Sequence, residues 1–200
     1  MNHPKRLNLK KRLTRDLSLW ALFAIDSECL VHGAQAPLPL KSWRHSVSTP
    51  SERLNEQIEA WRNDLSIQKV CFSHIRNKAN LKRIWGDHKF WQKITDEMNE
   101  LLLYQSSIDI LISRCALRWK LNRMGSIDRS VLRLGTYELY FSDLPAKAIL
   151  NEAVELGKRY GSNDSSRFIN GVLDRVAQEL GRIEKRSNND IVVSVVHRKN

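Results

Sequence analysis

Basic residues are concentrated at the start of the chain, where they could bind phosphate. The first 15 positions hold no acid and six cations, Lys5, Arg6, Lys10, Lys11, Arg12 and Arg15. Such side chains neutralise nucleic-acid phosphates and, from a helix start, can reach along a single strand. A helix N-terminus favours acids, so helix stability does not explain the cluster. We therefore predict phosphate contacts, with a solvated terminal arm as the alternative; the best candidates are Lys10, Lys11, Arg12 and Arg15.

A second mixed group lies late in the chain, between two predicted helices. An acid, two hydroxyls, a cation and an aromatic ring occupy five consecutive positions, Asp164, Ser165, Ser166, Arg167 and Phe168. The Asp164 carboxylate can cap the second helix by accepting a backbone N–H bond, which is worth about 1 kcal/mol. Phe168 is in helical phase with Val172 and Val176, which is typical of a packing role.

Motifs for catalysis, cofactors and metals do not occur in the sequence. It contains no Walker-type glycine loop, dinucleotide fingerprint, His-Glu-x-x-His or Ser nucleophile elbow. The three cysteines lie far apart and have no zinc spacing: Cys29, Cys71 and Cys115. We therefore expect no enzyme, no cofactor and no metal centre.

The charge balance favours a polyanionic partner. Lysine and arginine outnumber aspartate and glutamate by 33 to 22 in 200 residues, which gives a formal net charge of +11. Nucleic acid is the first candidate and an anionic membrane surface the second. The apolar run LSLWALFAI lies between Asp16 and Asp26 and has no evident cleavage site, so we expect a cytoplasmic chain with no membrane span.

Apolar periodicity predicts helices throughout the chain. The first starts near Leu13, and a long loop is expected near residues 28–50. Residues 51–65 and 89–104 have helical patterns, whereas residues 67–86 are ambiguous. After residue 104 the helix either continues or restarts, and its apolar stripe extends as far as Trp119. Ser126 is a plausible N-cap, Pro145 starts another helix, and Gly171 suggests close contact between helices.

One segment of about 50 residues resembles a known family. Residues 128–177, DRSVLRLGTYELYFSDLPAKAILNEAVELGKRYGSNDSSRFINGVLDRVA, closely resemble the C-terminal half of the NusB family of transcription antitermination factors. The specific elements are LR and YEL, Pro145, the pair Asn151-Glu152, and DSSRFINGVLD. The segment KRLTRD at residues 11–16 also resembles the family's basic start, with Asp16 in the place of a glutamate.

The resemblance implies an all-α, NusB-like bundle of two packed subdomains, each of three to four helices, that acts without catalysis. The expected segments are a basic arm at residues 1–12, helical subdomains at 13–124 and 125–182, and a polar tail at 183–200. Implied partners are single-stranded boxA-like RNA, the ribosomal protein NusE and the RNA polymerase antitermination complex. The sequence leaves open homodimer formation, a plastid location, an adaptor without RNA specificity and a role in ribosomal RNA maturation.

The resemblance also suggests roles for particular residues. Phe23 and Phe168 match family aromatic positions, so base stacking stands beside packing for both rings. Asp164 matches an aspartate at the RNA-facing edge, where it could accept bonds from base amino groups. Asp128 matches an acidic position near the NusE-facing surface, and its alternative role is to complement the dipole of its own helix.

Overall fold

A computed structural model describes residues 9–25, 50–63, 78–117 and 119–183. The expected loop near residues 28–50 and the expected polar tail at residues 183–200 therefore lie almost wholly outside the described residues. Over these ranges the chain is all-α, which confirms the predicted fold class. Its helices are α1 (Leu9–Ile25), α2 (Pro50–Asn63), α3 (Lys78–Trp85), α4 (His88–Leu103), α5 (Gln105–Cys115), α6 (Ser126–Phe141), α7 (Ala146–Tyr160) and α8 (Ser165–Glu179).

Helix α1 begins four residues earlier than the apolar pattern predicted. The stripe that includes Leu13, Leu17 and Trp20 is buried, which confirms the predicted core face. The helix nevertheless starts at Leu9. The last cations of the predicted arm therefore lie on its first turn and are held by helical backbone.

The first half of the chain packs around α4. Helices α2 and α3 lie against α4, and α1 contacts both α2 and α4. Leu54, Ile58 and Trp61 of α2 are buried, as their spacing of four and three predicted. Helix α3 accounts for part of the ambiguous stretch at residues 67–86.

Helices α4 and α5 meet at a single residue, Tyr104, so the long helical pattern restarts. Helix α5 then ends at Cys115, and its buried residues are Ile108, Ile112 and Cys115. The prediction that the same stripe continues to Trp119 is wrong. Trp119 lies beyond the helix, and 56% of its surface is exposed.

The second half is a bundle in which α6, α7 and α8 pack against one another and α5 lies against α6 and α8. Ser126 is the first residue of α6 rather than its cap; Gly125 occupies the capping position. Pro145 directly precedes α7, as predicted. Helix α1 contacts α6, which joins the two halves.

Two glycines allow the close approach of these helices, and neither is Gly171. A Cβ atom on Gly135 would lie 2.7 Å from Cδ1 of Leu173, and one on Gly157 would lie 2.7 Å from Cδ1 of Ile169. Both distances are too short for a carbon contact. Gly171 is exposed with open space at its Cβ position, so the predicted close contact there is wrong.

Candidate nucleic-acid interface

The first turn of α1 presents three cations to solvent: Lys10, Lys11 and Arg12. This turn contains no acidic residue, so the helix dipole is not complemented there. The Lys10 ammonium lies 2.8 Å from Asp87 and 5.9 Å from the ring centre of Phe90. The hydrogen bond from Lys10 lowers the pKa of Asp87. The turn is therefore an exposed positive surface with a fixed backbone.

Arg15, unlike the three cations of the first turn, is not exposed to solvent. Its side chain is buried, and Nε and Nη2 donate to the two carboxylate oxygens of Glu138 at 2.6 and 2.8 Å. Its Nη1 lies 3.8 Å from Glu152. Burial raises the pKa of Glu138, and the bonds from Arg15 oppose that rise. The guanidinium thus joins α1 to α6 and α7, a geometry that argues against the predicted phosphate contact by Arg15.

Asp16 makes the neighbouring connection between α1 and α7. It lies 2.8 Å from Nη1 of Arg159 and accepts a longer bond of 3.3 Å from the Tyr160 hydroxyl. Burial raises the pKa of Asp16 despite the opposing Arg159 charge. Arg159 was not singled out from the sequence, because its partner is 143 residues away and no local spacing reveals the pair.

Phe23 belongs to the hydrophobic core. Only 3% of its surface is exposed, and its ring meets Trp20 edge-on with 5.7 Å between ring centres. Trp20 in turn meets Tyr160 at 4.8 Å. The sequence left two roles open for Phe23, base stacking and packing, and these contacts favour packing.

Asp164 is exposed at the turn between α7 and α8. Its side chain makes no capping hydrogen bond to α8, so the expected cap is not formed. The buried hydroxyl of Ser165 instead accepts the backbone N–H of Ser162 at 2.8 Å and holds the turn from within. The Asp164 carboxylate is consequently accessible to a ligand.

Phe168 is half-buried, one turn into α8. Its ring packs against the hydrophobic core and also meets the ring of Trp119 at 5.8 Å and 62°. The structure therefore places Phe168 in a packing role while part of it remains accessible.

Asp128 lies in the first turn of α6, half-buried beside the turn between α7 and α8. Burial raises its pKa, and the nearby Ser165 hydroxyl opposes the rise. Asp128 lines a shallow cavity together with Phe23, Tyr160 and Gly161. The partner-facing residue suggested by the resemblance thus lies close to the turn that carries Asp164.

Metal-binding clusters and membrane-spanning helices are both absent from the part of the chain that the structure describes. No group of three or more His, Cys, Asp or Glu side chains there could hold a metal ion. None of the helices in these ranges is long and apolar enough to cross a membrane.

Comparison with known proteins decides the family. The sequence model of the NusB family matches residues 56–178, which is more than half of the chain. The chain belongs to the NusB family. This extends the resemblance stated for residues 128–177 well into the N-terminal half.

Individual NusB proteins give the same result. The chain is 53% identical over 79 residues to the transcription antitermination protein NusB of Thermotoga petrophila. That match covers 39% of this chain and 56% of the relative, so it spans little more than half the relative's length. Among solved structures, NusB of T. maritima has a TM-score of 0.58 and 29% identity, covering 90% of this chain and 94% of that one.

One further solved structure has the same fold at 19% identity, with a TM-score of 0.55. It is described as antitermination factors NusB and NusE in complex with dsRNA. The match covers 85% of this chain and 97% of that one.

Proposed function

We propose that this chain is an RNA-binding transcription antitermination factor. It pairs with a NusE-type ribosomal protein on boxA-like, single-stranded RNA and supports transcription of ribosomal RNA within the RNA polymerase antitermination complex. The observation that carries the proposal is the exposed positive first turn of α1 in a chain of the NusB family. A relative named for transcription antitermination and a NusB neighbour solved with NusE and RNA support it.

The proposed RNA contacts follow from what is exposed. Lys10, Lys11 and Arg12 contact phosphates, because all three are accessible on one helical turn. Asp164 and Phe168 contact bases at the start of α8, where the carboxylate is exposed and the ring half-buried. Arg15 and Phe23 serve this surface indirectly, by fixing α1 against α6 and α7.

The proposed partner contact involves Asp128 at the start of α6. Its carboxylate is half-buried beside the turn that carries Asp164, so a ribosomal protein seated there adjoins the bound RNA. Measuring NusE affinity for Asp128→Asn tests this role without RNA. A weakened complex at unchanged thermal stability supports the contact, whereas an unchanged affinity removes it.

The function is tested by titrating labelled boxA RNA and a scrambled RNA, with and without NusE, at several salt concentrations. Affinity should fall with salt by about 0.7 log units per phosphate contact per log unit of salt, as for single strands. BoxA should bind more tightly than the scrambled RNA when NusE is present. Equal affinities for the two RNAs would contradict specific recognition.

A pair of charge-matched variants locates the contact. Arg12→Ala removes one cation from the exposed turn, whereas Lys147→Ala removes one from the first turn of α7. Residues 147 and 160 lie about 20 Å apart along α7, so Lys147 is remote from the turn at Asp164. Arg12→Ala should lower both RNA affinity and the salt slope, and it should lower them more than Lys147→Ala does.

We propose a non-catalytic role in the cytoplasm, where nascent ribosomal RNA is available. The rival function is a protein adaptor of the same fold. Such an adaptor would bind NusE with little dependence on salt and would show no preference between boxA and scrambled RNA.

A further inference from the structure

Trp119 is an exposed tryptophan that the proposed RNA contacts do not use. It lies in the connection between α5 and α6, and 56% of its surface is accessible. Its ring meets Phe168 edge-on, with 5.8 Å between ring centres. The two rings are 49 positions apart in sequence, and the fold brings them together beside the start of α8.

The backbone before Trp119 has an unusual conformation. Leu117 has a φ of 42°, a left-handed value that costs a residue with a side chain roughly 1 kcal/mol or more. The Leu117 side chain is 72% exposed, so burial of that side chain does not offset the strain. The Trp119 N–H donates to the Ala116 carbonyl at 3.2 Å, which holds the turn closed. The connection thus keeps an indole at the surface instead of returning it to the core.

Three exposed cations are close in the chain to this ring pair, together with one exposed acid, Asp164, one turn before Phe168. Lys120 and Arg123 follow Trp119 in the chain and are exposed, and Arg167, directly before Phe168, is exposed as well. Exposed aromatic rings among cations are the usual arrangement for binding an unpaired nucleic-acid strand, since bases stack on the rings and cations neutralise the phosphates.

A second exposed aromatic surface on the same molecule has a mixed charge environment. The rings of Tyr104 and Tyr140 lie 4.9 and 4.8 Å from the ring of Phe141, measured between ring centres. Exposed Glu100 and Asp143 are close to these rings in the chain, and Phe141 also lines a cavity with Lys11 and Lys93. Because the acids there repel phosphates, RNA bases should stack more readily at Trp119.

We propose that Trp119 and Phe168 together form a stacking platform for bases of single-stranded RNA. The platform extends the interface from the start of α8 onto the connection between α5 and α6. Trp119 supplies the accessible ring, and Phe168 supports it from the side. This inference rests on the proposed RNA-binding function and adds to it Trp119, an aromatic residue outside the cation cluster of α1.

The test measures RNA affinity by fluorescence anisotropy with labelled boxA and scrambled RNAs for four proteins: the unaltered chain, Trp119→Ala, Trp119→Phe and Tyr140→Ala. Tyr140 is 63% exposed and belongs to the second aromatic surface, away from Trp119 in the chain, so it is the control for loss of an exposed ring. Trp119→Ala should lower the affinity between about 5-fold and 150-fold, which is the range for loss of one stacked base. Trp119→Phe should retain most of the affinity, and Tyr140→Ala all of it.

Two further readouts separate stacking from other causes. The salt slope of Trp119→Ala should equal that of the unaltered chain, because stacking involves no phosphate. Its thermal midpoint should also be unchanged, since the indole is mostly exposed. A fall in affinity accompanied by a fall in thermal midpoint, with Trp119→Phe no better, would mean that Trp119 only supports the fold and would overturn the proposal.

Protein binding is the competing outcome. If Trp119→Ala leaves RNA affinity intact but weakens the NusE complex or changes the oligomeric state measured by light scattering, the surface is a protein interface and the platform is rejected. If the unaltered chain binds neither RNA, the proposed function fails as well. Tight RNA binding by the unaltered chain and Trp119→Ala alike would reject only the platform.

Discussion

The cations of α1 occupy two contrasting regions, although the first and the last are only five positions apart. Lys10, Lys11 and Arg12 lie on an exposed turn, whereas Arg15 lies in a buried seam with Glu138 and Glu152. On the first turn, the ion pair of Lys10 with Asp87 is solvent-exposed, so an RNA phosphate can replace the carboxylate at little cost. The Arg15 guanidinium already has a carboxylate and would have to abandon it in a low-dielectric environment. Burial, and not residue type, therefore divides this cluster into ligand-facing and structural members.

The aromatic candidates divide in the same way. Phe23 is enclosed by Trp20 and the core, whereas Phe168 remains half-buried next to the exposed Trp119. The buried residues position the exposed surface, and the exposed residues make the proposed RNA contacts. Mutations of buried residues should therefore lower stability, whereas mutations of exposed residues should lower RNA affinity.

The largest effect is expected for Arg15→Ala. Removing the guanidinium leaves the buried Glu138 carboxylate without its partner, which should lower the free energy of unfolding by about 3–5 kcal/mol. Chemical denaturation measures the loss. The double variant Arg15→Met with Glu138→Leu should recover much of the stability, because the Glu138 carboxylate is removed together with its partner and only Glu152 loses a contact. A stable Arg15→Ala protein with weakened RNA binding would reverse the assignment and place Arg15 in the interface.

Phe23→Leu should have a smaller effect, confined to stability. The smaller leucine leaves part of the space of the ring unfilled, so the loss should be about 1–2 kcal/mol, below the roughly 3–5 kcal/mol of full truncation to alanine. RNA affinity should stay unchanged, because the Phe23 ring is enclosed and out of reach of a base. The same two measurements, denaturation and anisotropy, apply. A fall in affinity at equal stability would show that the ring contacts RNA.

The turn between α7 and α8 offers a comparison one residue apart. Ser165→Ala removes the buried acceptor of the Ser162 N–H and should cost about 1 kcal/mol. Asp164→Ala should change stability by less than about 0.5 kcal/mol, because its side chain makes no capping bond. Thermal melts of the two variants check the order. Equal losses would indicate that Asp164 caps α8 in solution.

The smallest stability effect is expected for Lys10→Ala. Its ion pair with Asp87 is solvent-exposed, and such pairs contribute little to stability. The thermal midpoint should therefore barely move, while the salt slope of RNA binding should fall by about 0.7. An unchanged slope would exclude Lys10 from the phosphate contacts.

Local pattern was sufficient to predict much of this architecture. The spacing of Leu54, Ile58 and Trp61 identified the buried face of α2, and Pro145 identified the start of α7. Both signals lie within a few residues of the feature they predict. The start of α1 was predicted four residues too late, because Leu9 lies in a basic segment that offers no apolar period.

Features that depend on distant residues were not predictable. Trp119 continues the apolar spacing of α5, yet the helix ends at Cys115 and the ring lies at the surface. Gly171 stands inside a helix just as Gly135 does, but only Gly135 faces a neighbouring side chain. The carboxylate that holds Arg15 is 123 positions away. Such pairings arise from helix packing, which a single sequence does not specify locally.

Arg182 lies just beyond α8 and donates to carbonyls at the far end of α6. Its Nη1 bonds to Leu139 and Ser142 at 3.0 Å, and its Nη2 bonds to Leu144 at 2.6 Å. Helix ends normally fray independently, because their last carbonyls have no partner within the helix. Here one guanidinium beyond α8 binds the Leu139 carbonyl in the last turn of α6 and two carbonyls of the connection that follows α6. We therefore expect the end of α8, the end of α6 and this connection to open together as a single unfolding unit.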